Sequence, residues 1–137
     1  MDLPVGDSYE DICRKFVWQI PEYFNIADAV CDRWADDADR IAITHESLDG
    51  SIKHFTFAEI KRYSNQLANL LRSLGVAQGD RALILLTQSP ECAISHVACF
   101  KSGVVSCLAS VLFWPDAIEH WLSSTDAKEC INNKANL

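Results

Sequence analysis

Residues Arg81–Ile131 read RALILLTQSPECAISHVACFKSGVVSCLASVLFWPDAIEHWLSSTDAKECI, and this stretch decides the fold. It predicts strands and helices in strict alternation, at Arg81–Leu86, Ser89–Gly103, Val104–Leu108, Trp114–Asp126 and Lys128–Ile131. Strands that alternate with helices build a parallel sheet with crossover helices. The run Ala82–Leu86 is apolar without alternation, which is typical of a central strand buried on both faces.

The segment before this stretch predicts two helices and a β-hairpin. The first helix, Asp7–Gln19, is expected to end at Pro21, because proline does not continue a helix interior. The second, Ile26–Trp34, follows Asn25, which is a favourable N-cap residue. Asp49-Gly50 is a strong hairpin signal. It separates two predicted strands, Ile41–His45 and Ile52–Phe55.

A long amphipathic helix is predicted next. Thr56 and Glu59 have the spacing of a capping box, and Gly75 is the expected stop. The apolar residues that recur at helical spacing are Phe57, Ile60, Tyr63, Leu67, Leu70, Leu71 and Leu74. The sequence thus predicts an α/β chain in which N-terminal helices and a hairpin precede a partial parallel βαβαβ sheet, with residues 1–137 forming one domain.

Composition restricts the classes of partner. The chain has 137 residues and a net charge of −7, which argues against nucleic acid or an anionic membrane as a partner. No apolar run is long enough to span a bilayer, and the first residues have no apolar core of a signal peptide. The six cysteines form no CxxC pair. We therefore expect reduced thiols and a cytoplasmic location.

Motifs for phosphate binding and nucleophilic catalysis are missing from the sequence. Gly75 and Gly79 are not followed by the Lys-Ser/Thr of a P-loop, and there is no GxGxxG. There is no GxSxG elbow either. His120 lies near Ser123 and Ser124 at a helix end, and the spacing of Asp116 and His120 is typical of a solvated helix face.

Three other groups of residues have a structural and a functional interpretation. Cys92, His96 and Cys99 share one helix face and could bind zinc, but the apolar composition of that helix favours burial in the core. A second group consists of carboxylates in a predicted turn, where solvation or capping explains them better than acid–base catalysis: Asp36, Asp37 and Asp39. The third group consists of large aromatic residues, which at helical spacing are usually core: Trp18, Trp34, Trp114 and Trp121.

The order of several segments resembles the N-terminal end of the AMP-dependent, adenylate-forming acyl-CoA synthetases, especially the medium-chain type. The matching segments are Phe24–Trp34 (FNIADAVCDRW), Phe55–Leu74 (FTFAEIKRYSNQLANLLRSL), Gly75–Leu86 (GVAQGDRALILL), Ser89–Gly103 (SPECAISHVACFKSG) and Leu112–Ala127 (LFWPDAIEHWLSSTDA). The likeness extends from about Tyr9 to Leu137. It implies a ligase of fatty acid metabolism that uses ATP, Mg²⁺ and coenzyme A to convert a carboxylic acid, through an acyl-adenylate, to an acyl-CoA.

The resemblance also implies that these residues are scaffold. The family's phosphate-binding loop, acyl pocket, adenine- and ribose-binding segments and C-terminal catalytic lysine would all come after Leu137. We therefore assign no catalytic, cofactor-binding or metal-binding residue in this chain, and we expect it to be inactive alone.

Two other functions stay open. The first is an interaction module that self-associates, or pairs through an exposed sheet edge with a separate chain that carries the rest of a ligase. The second is a flavodoxin-like module that binds a nucleotide where the strand order reverses, although the glycines that cradle phosphates are missing.

Overall fold

The computed structural model describes residues 4–133 and confirms the alternation of strands and helices in the second half of the chain. In chain order the elements are α1 (Tyr9–Lys15), α2 (Ile26–Val30), a 3₁₀ turn (Asp32–Trp34), β1 (Ile41–Glu46), β2 (Ile52–Thr56), α3 (Phe57–Ser73), β3 (Arg81–Leu85), α4 (Pro90–Ser102), β4 (Val105–Leu108), α5 (Pro115–Thr125) and β5 (Glu129–Asn132). The predicted ends of the last five elements differ from the observed ends by no more than one residue.

Strand β3 is the centre of a three-stranded parallel sheet with the order β4-β3-β5. Leu83 pairs with Cys107 on one side and with Cys130 on the other. Ala82, Leu83 and Ile84 have no exposed surface, as predicted for a central strand. The antiparallel hairpin of β1 and β2 forms a separate two-stranded sheet.

The two faces of the parallel sheet are covered by different helices. Ala82 and Ile84 pack in a core cluster with Leu71 of α3 and with Cys92 and Cys99 of α4. Their neighbours on the strand point the other way, where Leu83 and Leu85 pack against Ile118 and Leu122 of α5. Because side chains alternate across a strand, β3 supplies both cores. The connection from β3 to β4 therefore runs over one face, and the connection from β4 to β5 runs over the other.

The capping box at the start of α3 is present as predicted. The Thr56 hydroxyl accepts a hydrogen bond from the Glu59 amide at 3.2 Å, and Glu59 Oε2 accepts one from the Thr56 amide at 2.9 Å. The predicted apolar stripe is partly wrong, because Leu70 and Leu74 are more than half exposed. The fully buried positions of α3 include the small residues Ser64 and Ala68. Small side chains let α3 approach α4 closely. The buried face of α3 therefore includes Ser64 and Ala68, and the larger Leu70 and Leu74 lie outside it.

The first helix is shorter than predicted and ends before the proline. Helix α1 begins after the N-cap Ser8 and ends at Lys15, because Phe16 adopts an extended backbone with φ −72° and ψ 125°. No residue of α1 is buried. A helix of this length without tertiary packing is marginally stable, so it does not extend to Pro21.

The second predicted helix is broken at Cys31. Asn25 caps α2 as predicted, since its side chain accepts from the Ala27 amide at 2.9 Å. The backbone leaves the α-helical region at Cys31, with φ −136° and ψ −63°, before the 3₁₀ turn. This bend places the Cys31 side chain in a core cluster with Ile60 and Val97.

Gly103 and Pro90 mark the two ends of α4. Gly103 has a left-handed backbone with φ 66°, and a Cβ there would lie 2.8 Å from Gln78 Cγ, so only glycine fits without rearrangement. At the other end Pro90 is the first helical residue. Ser89 precedes it as the N-cap, with an extended backbone and no capping hydrogen bond from its side chain, so α4 begins one residue after the predicted start.

A charged side chain ties the amino end of the parallel sheet together. Arg81 Nε donates to the Thr125 carbonyl at 2.8 Å, and Arg81 Nη2 is 2.6 Å from the Asp126 carboxylate. A second ion pair lies at the same end of the sheet: Lys128 Nζ is 2.8 Å from Asp80 Oδ2, and this contact lowers the pKa of the Asp80 carboxyl. These contacts hold the α5–β5 turn against the start of β3.

Candidate functional site

The carboxyl ends of the parallel strands are the candidate site, because ligands of open α/β sheets bind outside this edge. The loop that follows β3, with Thr87 and Gln88, separates two hollows at this edge. The first, here called the loop hollow, has a volume of about 540 Å³ and extends to Leu112 and Phe113 in the loop after β4. Leu112 is 85% exposed, so this hollow is open to solvent.

The second hollow lies between the hairpin turn and the loop after β3. It has a volume of about 770 Å³, and its lining includes the ionisable side chains of His45, Glu46 and Asp49. The Asp49 carboxylate already accepts from the Ser51 hydroxyl at 2.7 Å and from the Ser51 amide at 3.0 Å. These hydrogen bonds lower the pKa of Asp49. Asp49 therefore stabilises the hairpin turn.

A third hollow, here called the switch-point pocket, lies between the ends of β3 and β5. Leu86 and Asn132 come from these strand ends, and Phe55, Tyr63 and Ile94 come from the hairpin, α3 and α4. Its volume is about 480 Å³, which is within the usual range for small-molecule sites. The strand order reverses at this point, because α4 and α5 cover opposite faces.

These hollows do not fit a triphosphate. Backbone cradles for phosphates use glycine-rich loops. The chain has five glycines, at positions 6, 50, 75, 79 and 103, and none is in the loops Leu86–Ser89 or Ala109–Phe113. Gly75 and Gly79 instead have positive φ in the turn between α3 and β3, and Gly75 follows the end of α3, as the sequence predicts.

The candidate zinc ligands are placed in different surroundings. Cys92 and Cys99 are buried in the core cluster of α3 and α4, as the composition of α4 predicts. His96 is half-buried, and its Nδ1 hydrogen-bonds to the Ser106 hydroxyl at 3.1 Å. Burial raises the pKa of Cys99 to about 11, raises the pKa of Cys92 and lowers the pKa of His96. Over residues 4–133, no three His, Cys, Asp or Glu side chains form a group that could hold a metal ion.

The carboxylates and hydroxyls considered from the sequence lie on the surface. Asp36, Asp37 and Asp39 are exposed, and Asp37 Oδ1 accepts from the Asp39 amide at 3.0 Å in the predicted turn. Asp116, His120, Ser123 and Ser124 of α5 are also exposed. The Ser124 hydroxyl bonds to the Trp121 carbonyl of its own helix.

The prediction that the tryptophans are core is wrong. Trp18 and Trp114 are 70% and 82% exposed, and Trp34 and Trp121 are 38% and 37% exposed. On α5, Ile118 and Leu122 pack against the core cluster of β3, and Trp121 is not part of that cluster. Trp34 packs under the Arg40 guanidinium, whose central carbon is 4.5 Å from the ring centroid.

Sequence reasoning did not find the lining of the three hollows. Thr87 and Gln88 line the first two hollows and Lys53 lines the third, and none of them belongs to a motif. These linings form because the hairpin lies beside the carboxyl end of the sheet. The available signal was the general rule that parallel strands end at one edge. In the part of the chain that the structure describes, no helix is long and apolar enough to cross a membrane.

Comparison with known proteins identifies the class. The sequence profile of the AMP-binding enzymes matches residues 31–136. The chain therefore belongs to the AMP-binding enzyme family. This agrees with the resemblance seen in the sequence and with the partial parallel sheet.

The relatives within this family are acyl-CoA synthetases. The chain is 29% identical over 133 residues to the human mitochondrial acyl-coenzyme A synthetase ACSM3, covering 92% of this chain and 23% of that protein. It is 35% identical over 106 residues to an acetyl-coenzyme A synthetase of Streptomyces avermitilis, covering 76% of this chain and 16% of the relative.

A solved structure confirms the fold. The acyl-CoA synthetase of Brucella canis matches with a TM-score of 0.77 and 27% identity, over 82% of this chain and 21% of that protein. The chain thus corresponds to the N-terminal part of an acyl-CoA synthetase and spans less than a quarter of each relative named here. Since the human relative is mitochondrial, the cytoplasmic location stays a prediction.

Proposed function

We propose that this chain supplies the N-terminal scaffold of an acid–thiol ligase of fatty acid metabolism. In the reaction that the family implies, a carboxylate attacks ATP to give an acyl-adenylate and pyrophosphate. The thiol of coenzyme A then displaces AMP to give the acyl-CoA. The proposal is supported by the family match over residues 31–136 together with the acyl-CoA synthetase relatives.

We assign none of these steps to residues of this chain. The hollows at the carboxyl end of the sheet have no phosphate cradle, and the family's ATP, Mg²⁺ and coenzyme A sites have no matching motif in the 137 residues. The scaffold contributes the buried strand β3 and its two helix layers, on which the rest of a ligase domain would be built. By itself the chain, as one incomplete domain, is inactive.

Complementation tests this proposal. The 137-residue chain is co-expressed with human ACSM3 that lacks its matching N-terminal part, and acyl-CoA formation from medium-chain and aromatic acids is measured. We expect product only when both pieces are present. A chain from which the β3–α4 region Arg81–Ser102 is deleted is the control. The scaffold role would be contradicted if no truncated relative of the family formed acyl-CoA in the presence of this chain, although both pieces were soluble.

A second candidate function is pairing with a separate chain. Strands β4 and β5 are the two edges of the parallel sheet, and Val105 and Leu108 of β4 are each 51% exposed. Unpaired edges with apolar residues favour association with another polypeptide. Affinity purification of the tagged chain from its source, followed by mass spectrometry, tests this. A partner that carries a Ser/Thr/Gly-rich phosphate loop supports pairing, and recovery of the chain as a lone monomer contradicts it.

A further inference from the structure

We propose that the outer edge of β4 pairs with β4 of a second copy of this chain, antiparallel about a two-fold axis. The pairing joins the three-stranded sheets of the two copies into one continuous sheet. It rests on the same exposed edge as the pairing function proposed for this chain, but its occupant is a second copy and not a different polypeptide. It requires neither ligase activity nor the other parts of a ligase.

The backbone of β4 presents unpaired polar groups along its outer side. The amides of Val105 and Ala109 donate to carbonyls of β3 and of the residue before it, at 2.8 Å and 3.0 Å. Because backbone groups alternate in direction along a strand, those of Ser106 and Leu108 point away from β3. Among residues 4–133 no other strand lies on that side, since β4 ends the sheet order. These N–H and C=O groups form a template for another strand.

The sequence of this edge carries no charge. Residues 104–114 read VVSCLASVLFW and contain no ionised side chain, in a chain whose net charge is −7. Two copies with the same net charge repel each other, so they approach at least electrostatic cost through an uncharged surface. Edge strands that stay single usually carry a charge or a proline. The other edge strand, β5, includes Glu129, whereas β4 has neither form of protection.

Apolar side chains give the pairing a hydrophobic component. Val105 and Leu108 are half-exposed, and Leu112 and Trp114 in the loop that follows β4 are more exposed still. Val105 and Leu108 lie on opposite faces of β4, because side chains alternate across a strand. A strand added beside β4 covers apolar surface on both faces, whereas a helix laid on one face covers only half of it. The edge therefore suits a strand as its partner.

Symmetry selects the register of the pair. When Ser106 of one copy lies opposite Leu108 of the other, the two-fold axis repeats the pairing, and every outward backbone group of both strands finds a partner. Cys107 then lies at the axis, directly opposite Cys107 of the second copy, as a non-hydrogen-bonded pair. The Cα atoms of such a pair are about 4.5 Å apart, within the range of about 4.4–6.8 Å that a disulfide spans. The register therefore predicts that these two thiols meet.

Sedimentation velocity tests the self-association. The purified full chain, kept reduced, is measured over a range of concentrations, and we expect a dimer whose fraction rises with concentration. Leu108→Lys places a charge on the edge and should weaken the dimer about tenfold. Leu70→Lys is the matched control and should leave the dimer unchanged, because Leu70 is a similarly exposed leucine on α3. Circular dichroism shows whether both variants are folded.

Oxidation with diamide tests the register without any substitution in the edge. The reagent takes two electrons and two protons from a pair of thiols, which leaves a disulfide where the two sulfur atoms can meet. The exposed thiol of Cys13 is first removed by Cys13→Ser. We expect a disulfide between the Cys107 residues of two copies, identified by mass spectrometry, and its loss when Cys107→Ser is added.

The proposal is wrong if the folded chain stays monomeric at the highest concentration, if Leu108→Lys and Leu70→Lys weaken the dimer equally, or if the dimer forms no disulfide at Cys107. Capture of a different ligase chain by a monomer would support pairing with a separate polypeptide and would contradict self-pairing. Neither result changes the expected outcome of complementation with truncated ACSM3, so failure of the dimer and failure of the scaffold role are distinguishable.

Discussion

Lys101 places a largely buried charge in the contact between α4, α3 and the 3₁₀ turn. Its Nζ lies 2.8 Å from Asp32 Oδ1 and 2.7 Å from Asn65 Oδ1. The side chains of Lys101 and Asp32 are only 12% and 23% exposed. A pair this shielded from water is costly to break, although forming it also costs desolvation of both charges.

The first prediction therefore concerns this ion pair. Lys101→Met leaves the Asp32 carboxylate without its cation and should lower the free energy of unfolding by about 3 kcal/mol in urea denaturation. Adding Asp32→Asn removes the stranded charge, so the double variant should lose less than the sum of the two single variants. Additive losses would show that the two side chains do not interact.

Cys99 gives a prediction about alkaline pH. Burial raises the pKa of Cys99 from 9.0 to about 11 in the folded chain. The folded state then holds a proton that the unfolded state releases, so the stability from this group is complete below pH 9 and is lost as the pH rises to 11. In urea denaturation at several pH values, Cys99→Ala should show a shallower loss between pH 9 and pH 11 than the parent. Equal slopes would contradict the burial of this thiol.

At the scale of elements, the sequence predicted the bounds of helices and strands that pack in the core better than the bounds of those that do not. The capping box of α3 and the apolar run of β3 are local signals that tertiary packing reinforces. The predicted lengths of the first two helices were wrong, because no residue of α1 is buried and the chain bends after α2 to bury Cys31. The exposed tryptophans were missed for a related reason, since helical spacing does not say which side of a helix finds a partner.

The cap of α3 can be tested by substitution. Thr56→Ala removes the hydroxyl that accepts from the Glu59 amide and should cost about 1 kcal/mol of stability. Ser73→Ala, at the opposite end of the same helix, is the control and should have little effect, because its hydroxyl donates to the Leu70 carbonyl of its own helix. A loss in the control as large as that in Thr56→Ala would refute the capping explanation.

Hydrogen exchange tests the ranking of the helices. The amides of α1 should exchange almost as fast as in an unfolded peptide, because none of its residues is buried. The amides of α4, which has six buried residues, should be the most protected among the helices. Comparable protection of α1 and α4 would mean that α1 packs against the remaining structure.

At the scale of the whole molecule, the fold class was predictable and the candidate site was not. The alternation of strands and helices after Arg81 defined the parallel sheet, and the segment order gave the resemblance to acyl-CoA synthetases. The pockets depend on how the hairpin lies beside the sheet edge, and no local sequence signal predicts that Phe55 of β2 and Ile94 of α4 line the same pocket.

The molecule also exposes apolar side chains on its sheet edge and loops. Val105, Leu108, Leu112 and Trp114 are all at least 51% exposed. A chain that spans less than a quarter of its relatives is expected to leave such surface uncovered. We therefore expect enhanced fluorescence of an apolar-surface dye with the folded chain, reduced by Leu112→Ser with Trp114→Ser. Unchanged dye binding in this variant would place the exposed surface elsewhere.

The central claim is that this chain is scaffold and does not itself form an acyl-adenylate. ATP–pyrophosphate exchange measures that step most directly, with medium-chain and aromatic acids, Mg²⁺ and the 137-residue chain purified alone. The account predicts an exchange rate equal to that of a blank without protein. Acid-dependent exchange that co-elutes with the chain through two independent purification steps would contradict it.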